Sequence, residues 1–340
     1  MRFWQRAQQH QDTDALIDVD GSAVTAGELV EAANKLVHAG RARGLATGSK
    51  LATLLPNCRE FLVAYLAATQ AGWYLVPVNY HLVAREVAHI LRDSGAQMVI
   101  GHERFATELT AAVDDAPSVS TRVAVGEIAG FDRFDEVLAP ASSMVPQERT
   151  AGGIMHYTSG TTGRPKGVER PLPDTSPDDA SVPFADLLGL LGVTSSADDV
   201  HLCGSPLYHT AVLAFAGAAL HEGQIVVLMD RWTAEDMLAL IERHGVTNTH
   251  MVPTQFNRLL QLPASVQNAY DVSSLRYVIH GAAPCAVDTK RRMIEWWGPV
   301  IYEYYGTTEG GGTVVDSRRL ARAPGDRGPS LARRGHQDPR

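Results

Sequence analysis

The chain has 340 residues, 45% hydrophobic and 20% charged, which is ordinary for a soluble globular protein and long enough for about two lobes of ~100–200 residues each. A formal net charge of −8 argues against a nucleic-acid binder, which carries a basic patch. Met1–Ile17 has no apolar secretory core, Ala211–Leu220 falls short of the ~18 residues that cross a bilayer, and Cys58, Cys203 and Cys285 lack paired spacing, so a cytoplasmic protein without disulfides, zinc or a transmembrane segment is expected.

In chain order, Leu51–Leu55 reads as a strand, Glu60–Ala71 as a helix, Tyr74–Val78 as a strand, Ala84–Arg92 as a helix and Met98–Ile100 as a strand. Asp114–Arg149 reads as a looser region, and Pro171–Pro183, with four prolines, as an exposed excursion. The alternation resumes with helix Ala211–Leu220, strand Gln224–Leu228, helix Ala234–His244, strand His250–Val252 and helix Thr254–Leu260. Strand Tyr277–Ile279, helix Asp288–Trp297 and strand Val300–Tyr304 complete it. Such alternation predicts βαβ units and mostly parallel sheets. Ser317–Arg340 holds seven arginines and three prolines without an aromatic, Val, Ile or Met residue, a composition that predicts disorder.

Tyr157–Val168 (Tyr-Thr-Ser-Gly-Thr-Thr-Gly-Arg-Pro-Lys-Gly-Val) concentrates hydroxyls and glycines around Lys166. Glycines bring backbone N–H groups close to a ligand, hydroxyls donate to phosphate oxygens, and the lysine adds a point charge. A polyphosphate cradle is one reading and a polar surface loop the other. A Walker loop is excluded, because Lys166 lies between Pro165 and Gly167 and not before Ser or Thr. The chain has few other lysines (Lys35, Lys50 and Lys290), so a lysine at this spot is the less expected by chance.

A second cluster, Tyr302–Glu309, follows a strand, the place where open α/β sheets bind ligands. Tyr305 can stack on a base, Thr307 or Thr308 can bond a phosphate oxygen, and Glu309 can hold Mg²⁺. A strand running into a glycine turn with solvated polar residues would look the same. Gly281-Ala282-Ala283-Pro284 offers small residues where a flat ring could lie, and Tyr208-His209 leads into an apolar helix.

In their kind and order these four pieces resemble the adenylate-forming (AMP-binding) superfamily of acyl-CoA synthetases, luciferases and peptide-synthetase adenylation domains. The resemblance runs over roughly residues 1–316 and implies an α/β fold of two mostly parallel sub-lobes, the superfamily's N-terminal domain without its β-barrel part and C-terminal domain. Residues 1–316 are thus expected to be an incomplete AMP-binding domain and 317–340 a disordered, out-of-frame tail. Synonymous codons exist for Leu320–Gly328 that, read one nucleotide later, spell the string with which family members continue, so a frame change near Thr313–Arg319 is expected.

The resemblance implies a phosphate side built by Thr158, Ser159, Gly160, Thr161, Thr162, Gly163 and Lys166, with Ser159, Thr161, Thr162 and Lys166 on the β- and γ-phosphates. Thr308 would take the α-phosphate, and Glu309 with Thr161 the metal. Tyr305 would stack on adenine with Tyr304, Gly306 and Thr307 beside it, and Gly281, Ala282, Ala283 and Pro284 would line the base. His209 would stand where acid meets thiol channel. The catalytic set so implied is Lys166, His209, Thr308 and Glu309, and the substrates are a carboxylic acid, ATP with Mg²⁺, and CoA.

An amino-acid substrate would need a buried carboxylate beside its ammonium, and Thr210–Leu220 carries none. A fatty or aryl acid fits better, and Val252-Pro253-Thr254 resembles fatty-acid CoA ligases. The lysine that assists adenylation in the family's C-terminal domain has no counterpart, since Lys290 precedes the Tyr305–Glu309 motif. A catalytically inactive remnant that binds nucleotide or acyl chain is the alternative.

Overall fold

The computed structural model describes residues 2–158, 165–182, 188–189, 193, 196–306 and 312–316. They fall into two units, Met1–Pro183 with Pro206–His209, and Phe184–Ser205 with Thr210–Arg340.

The first unit opens with four elements ahead of the strand expected at Leu51–Leu55. A helix, Phe3–Gln9, precedes the antiparallel pair β1 (Asp14–Ile17) and β2 (Ala23–Thr25), and a long helix, Ala26–Ala42, follows. That helix starts at a reciprocal cap: the Glu28 amide donates to Thr25 Oγ1 at 3.1 Å and the Thr25 amide to the Glu28 carboxylate at 2.8 Å. Next come β3 (Lys50–Leu54), helix Arg59–Ala71, β4 (Tyr74–Pro77), helix Ala84–Ser94, β5 (Met98–His102), helix Ala106–Asp114, β6 (Thr121–Val125), β7 (Asp132–Arg133), helix Phe134–Leu138 and β8 (Gly153–Ile154). These strands form a sheet in the order β7-β6-β5-β3-β4-β8, every pair parallel. Two corrections follow. The region Asp114–Arg149 is not loose, because the alternation Thr121-Arg122-Val123-Ala124-Val125 adds a strand to β5. Pro171–Pro183 is not wholly exposed: Pro177 starts a short helix behind the Ser176 cap, is buried with Ser181, and Arg149 pairs with Asp178 at 3.2 Å.

Parallel strands buried on both faces need covering helices. Helix Arg59–Ala71 accordingly buries Phe61, Leu62, Val63, Tyr65 and Leu66 around its whole circumference, each large side chain worth roughly 1.5–3 kcal/mol. It ends where Gly72 adopts φ 72°. The unit also carries the antiparallel hairpin β9 (His156–Thr158) and β10 (Lys166–Val168).

In the second unit, β11 (Val200–Cys203), β12 (Ile225–Leu228), β13 (Asn248–Met251), β14 (Tyr277–His280), β15 (Ile301–Gly306) and β16 (Gly312–Asp316) follow the order β16-β15-β14-β13-β11-β12, parallel except β15 with β16. Helices Thr210–Glu222, Ala234–His244, Pro253–Leu259 and Val287–Trp297 alternate with the strands. The sequence reading lacks β11, whose core stretch Val-His-Leu-Cys carries a histidine. In the fold His201 is buried and its Nδ1 donates to Asn248 at 2.6 Å.

Burial holds three histidines neutral. His156 and His201 are pushed down to about 4, and His280 to about 3, first by loss of water in each case. Nearby Arg170 adds to the effect at His156 and Lys290 at His280. In the unfolded chain a histidine binds its proton near pH 6.5, so below that pH the unfolded state holds protons the folded state refuses. The stability of the neutral rings is full above about pH 6.5 and declines as pH falls towards the folded values. Among the described residues neither ring nitrogen of His280 has a hydrogen-bond partner. Replacing a buried polar group by an apolar one of similar size removes that penalty. His280→Leu should therefore flatten the fall of the urea midpoint between about pH 6.5 and 4 without lowering it at about pH 8. An unchanged pH slope would contradict this assignment.

Candidate functional site

In the hairpin, Lys166 pairs with Thr158, Gly167 with Tyr157 and Val168 with His156. His156 is buried beside the buried Met155, whereas Lys166, on the same face of the hairpin two residues nearer its tip, is exposed. Ser159, Gly160, Thr161, Thr162 and Gly163 lie outside the described residues, as does the side chain of Thr158. Gly167 is required by its surroundings. A Cβ there would stand 2.4 Å from Met155 Cε and 2.9 Å from Tyr157 Cζ. Tyr157 Oη donates to Asp93 at 2.7 Å, and His89 Nε2 bonds the Pro165 carbonyl at 3.2 Å.

Pro206–His209 belongs to the same unit. The Leu207 amide donates to Asn57 Oδ1 at 2.8 Å, which fixes this turn. Tyr208 meets Tyr80 edge-on with centroids 5.1 Å apart, Tyr80 stacks on Phe105 at 4.9 Å, and the His209 ring lies 4.3 Å from that of Tyr208. The His209 side chain reaches solvent, yet the crowding of this aromatic group removes enough water to lower its affinity for a proton, and His81 adds to the effect. A neutral imidazole results, able to accept or donate one hydrogen bond. Asn57, Tyr80 and Phe105 escape a sequence reading because each sits far from His209 along the chain.

In the second unit, Gly281–Pro284 leaves the carboxyl end of β14. A Cβ on Gly281 would come within 2.5 Å of the Tyr304 ring, so the tyrosine lies directly against this backbone. Ala282 takes φ 66°, a left-handed conformation uncommon outside glycine that turns the chain sharply. Tyr304 shares a 3.0 Å hydrogen bond with His250 Nε2, and Phe215 of helix Thr210–Glu222 stacks on His250 at 4.8 Å. Burial pushes the Tyr304 hydroxyl up to about 12. The next residue on β15, Tyr305, is 66% exposed, so the two tyrosines have different roles: Tyr304 packs and Tyr305 offers a free ring face. Gly306 pairs with Gly312 across β15–β16, whereas Thr307, Thr308 and Glu309 lie outside the described residues. The structure thus joins Gly281 to Tyr304 within one unit, and the hairpin and His209 lie in the other. The two residues expected at the metal, Thr161 and Glu309, are outside the described set. Among the described residues no cluster of acids, histidines and cysteines is arranged to hold a metal.

A cleft of about 480 Å³ in the first unit, lined by Glu28, Glu31, Lys35, Arg59, Glu60 and Phe134 among others, contains none of these residues. Its charges satisfy each other: Lys35 pairs with Glu31 at 2.7 Å, Arg59 with Glu60 at 2.9 Å, and Glu28 caps its helix.

Comparison with known proteins decides the lineage. The sequence profile of the AMP-binding enzyme family matches residues 3–333. The chain belongs to this family. It is 29% identical to the fatty acid–acyl-carrier-protein ligase ScoC of Streptomyces coeruleorubidus, over 97% of this chain and 62% of that protein. It is 31% identical to a feruloyl-CoA synthase of Amycolatopsis sp, over 91% of this chain and 59% of that one. The chain therefore spans about three-fifths of the length of these curated relatives. In structure it resembles the inhibitor-bound N-terminal domain of FACL13 from Mycobacterium tuberculosis, with TM-score 0.84 and 26% identity over 97% of this chain and 83% of that domain.

In this AMP-binding chain an ion pair links the segment that follows β14 to β15. Lys290, on the helix that follows Gly281–Pro284, reaches Glu303 on β15 at 2.7 Å, with the ammonium 7% and the carboxylate 21% exposed. A buried ion pair that loses one partner leaves the other charge poorly solvated. Lys290→Met should cost about 2 kcal/mol in urea unfolding, discounted for the partial exposure of Glu303, and Lys290→Met with Glu303→Leu should recover most of it. Equal losses in the single and double variants would show that the loss does not come from an orphaned Glu303 charge.

Proposed function

We propose that this chain carries the nucleotide- and acid-binding part of an ATP-dependent acid–CoA ligase acting on an apolar carboxylic acid, most fittingly a fatty acid. The observation that carries the reading is the family match across residues 3–333, with the Tyr157–Val168 and Tyr305–Glu309 segments falling inside it. Ligases of fatty and hydroxycinnamic acids among the relatives support the acid class. The chemistry of the donor set fits a nucleoside triphosphate: an exposed lysine on a glycine-containing hairpin, and an exposed tyrosine ring at a strand end.

In the first step the acid's carboxylate oxygen attacks the α-phosphorus of ATP, and pyrophosphate leaves. In the second a thiol sulfur attacks the acyl carbonyl, loses its proton and releases AMP. Mg²⁺, when bound through Glu309 and Thr161, would neutralise phosphate charge. Lys166 with the hydroxyls of Ser159, Thr161 and Thr162 would hold the β- and γ-phosphates and stabilise the charge that builds on the leaving pyrophosphate. Thr308 would bond the α-phosphate, and Tyr305 would stack on adenine against Gly281–Pro284. His209, kept neutral, would accept or donate a hydrogen bond at the reacting carboxylate without adding a competing cation. Helix Thr210–Glu222, with Val212, Leu213 and Phe215 buried and no acidic side chain before its last residue, suits an acid without an ammonium group.

The acceptor thiol has two candidates of one chemistry, because CoA and an acyl-carrier protein both present a phosphopantetheine. CoA is the reading favoured here, and the ScoC relative makes the carrier the comparison to run. A second reading, binding of nucleotide or acyl chain without turnover, is the alternative that pyrophosphate exchange separates.

ATP–pyrophosphate exchange with a panel of carboxylic acids tests the reading. Exchange should depend on medium- or long-chain fatty or aryl acids and fall at least about tenfold in Lys166→Met, the loss of one charge-assisted contact to the leaving group. Tight MgATP binding without any exchange favours the second reading. No binding and no exchange would remove both.

A further inference from the structure

We propose that Asp93 and His89 are positioning residues: the helix Ala84–Ser94 clamps both arms of the β9–β10 hairpin through them and thereby sets nucleotide affinity. The inference rests on the nucleotide reading of the hairpin and extends it to a helix that carries none of the motif residues.

Asp93 occupies the last turn of its helix, where the carbonyl ends of the peptide dipoles disfavour a carboxylate. It gains a partner there from outside the helix, since Tyr157 Oη donates to it at 2.7 Å. His89 stands one turn earlier on the same helix face. Its Nε2 lies 3.2 Å from the Pro165 carbonyl, and a carbonyl only accepts, so Nε2 carries the proton. Tyr157 lies on the incoming arm and Pro165 immediately precedes the outgoing one. One helix face therefore grips the hairpin on both sides.

The ring of Tyr157 can reach Asp93 only because its cross-strand neighbour is Gly167. A Cβ at that position would sit 3.0 Å from Tyr157 Oη. Below the clamp, the outgoing chain is rooted separately: Tyr74 Oη donates to the Arg170 carbonyl at 2.7 Å, and Lys50 pairs with Glu169 at 3.3 Å. These lower contacts fix where the hairpin leaves the sheet. The two upper ones fix the angle of the arms that present Thr158 and Lys166. The Tyr157 ring packs against the apolar core that includes Met155, while Lys166 and Asp93 are exposed, so the hydroxyl contact adds direction to a ring that apolar packing already seats.

Two measurements on the whole chain decide it: hydrogen–deuterium exchange of amides in 156–158 and 165–168 without ligand, and MgATP titration by calorimetry. Tyr157→Phe keeps the ring and loses the hydroxyl, whereas Asp93→Ala loses the acceptor. Each should speed exchange in the hairpin about tenfold and weaken MgATP about tenfold, the equilibrium worth of one hydrogen bond to a charged group. Asp93→Asn, which still accepts a hydrogen bond, should lie close to the parent protein. Arg85→Ala, an exposed change on the same helix, should alter neither. Unchanged exchange in Tyr157→Phe and Asp93→Ala overturns the clamp. Faster exchange with unchanged MgATP affinity overturns the positioning role. A parent protein that binds no MgATP overturns the nucleotide reading itself, while the exchange data still decide whether the helix holds the hairpin.

Discussion

A parallel strand must be covered on both faces, and much of this architecture follows from that single constraint. β3 and β4 are buried almost throughout, so the helix between them, Arg59–Ala71, has little face left for water. Its sequence gives up the usual amphipathic stripe for Phe61, Leu62, Val63, Tyr65 and Leu66 in near succession. Each crossover between parallel strands returns the chain to the amino end of its sheet. The carboxyl ends of the strands therefore gather on one side of each unit, and there the backbone is free to turn into loops that bind.

Dry interiors also make buried polar groups selective. In the first unit, Gln70 Nε2 donates to Asn34 at 3.1 Å, the Asn34 amide donates to the Ser143 carbonyl at 3.0 Å, and Arg149 Nε donates to Gln70 at 3.2 Å. This small network ties the chain entering β8 to the helices Ala26–Ala42 and Arg59–Ala71. In the second unit, His201, Asn248 and Gln224 form a comparable chain across β11 and β13. Such groups cost free energy if a partner is lost, so they admit one arrangement where apolar packing would tolerate several.

Near the functional segments both units use the same device, a glycine against a tyrosine ring. Gly167 lets Tyr157 lie across the hairpin, and Gly281 lets Tyr304 lie against the turn that leaves β14. In each case the ring ends in a hydrogen bond to a residue of another element, Asp93 for Tyr157 and His250 for Tyr304. The tyrosines thus convert flexible glycine segments into fixed ones.

The sequence by itself determined the lineage and the main alternation. The Tyr157–Val168 and Tyr305–Glu309 segments carried the family, and about half of the described strands and helices from Leu51 onward were legible from apolar period and length, as at Ala234–His244, whereas β6 to β11, β16 and helices such as Ala106–Asp114 were not. These signals are local: phosphate-binding loops and covered strands need particular residues close together in the chain. What it did not disclose was set by distance. β6 lay hidden in a region without strong apolar runs because its pairing with β5 supplies the missing stability, and β11 was obscured by a histidine that only Asn248 renders acceptable. The difference between Tyr304 and Tyr305, adjacent and chemically identical, came from strand alternation, one ring turned towards His250 and the other towards solvent. Tertiary structure alone decided the partners of Tyr157, His209 and Lys290, because residues such as Asp93, Tyr80 and Glu303 bear no pattern linking them to a site until folding closes the chain between them.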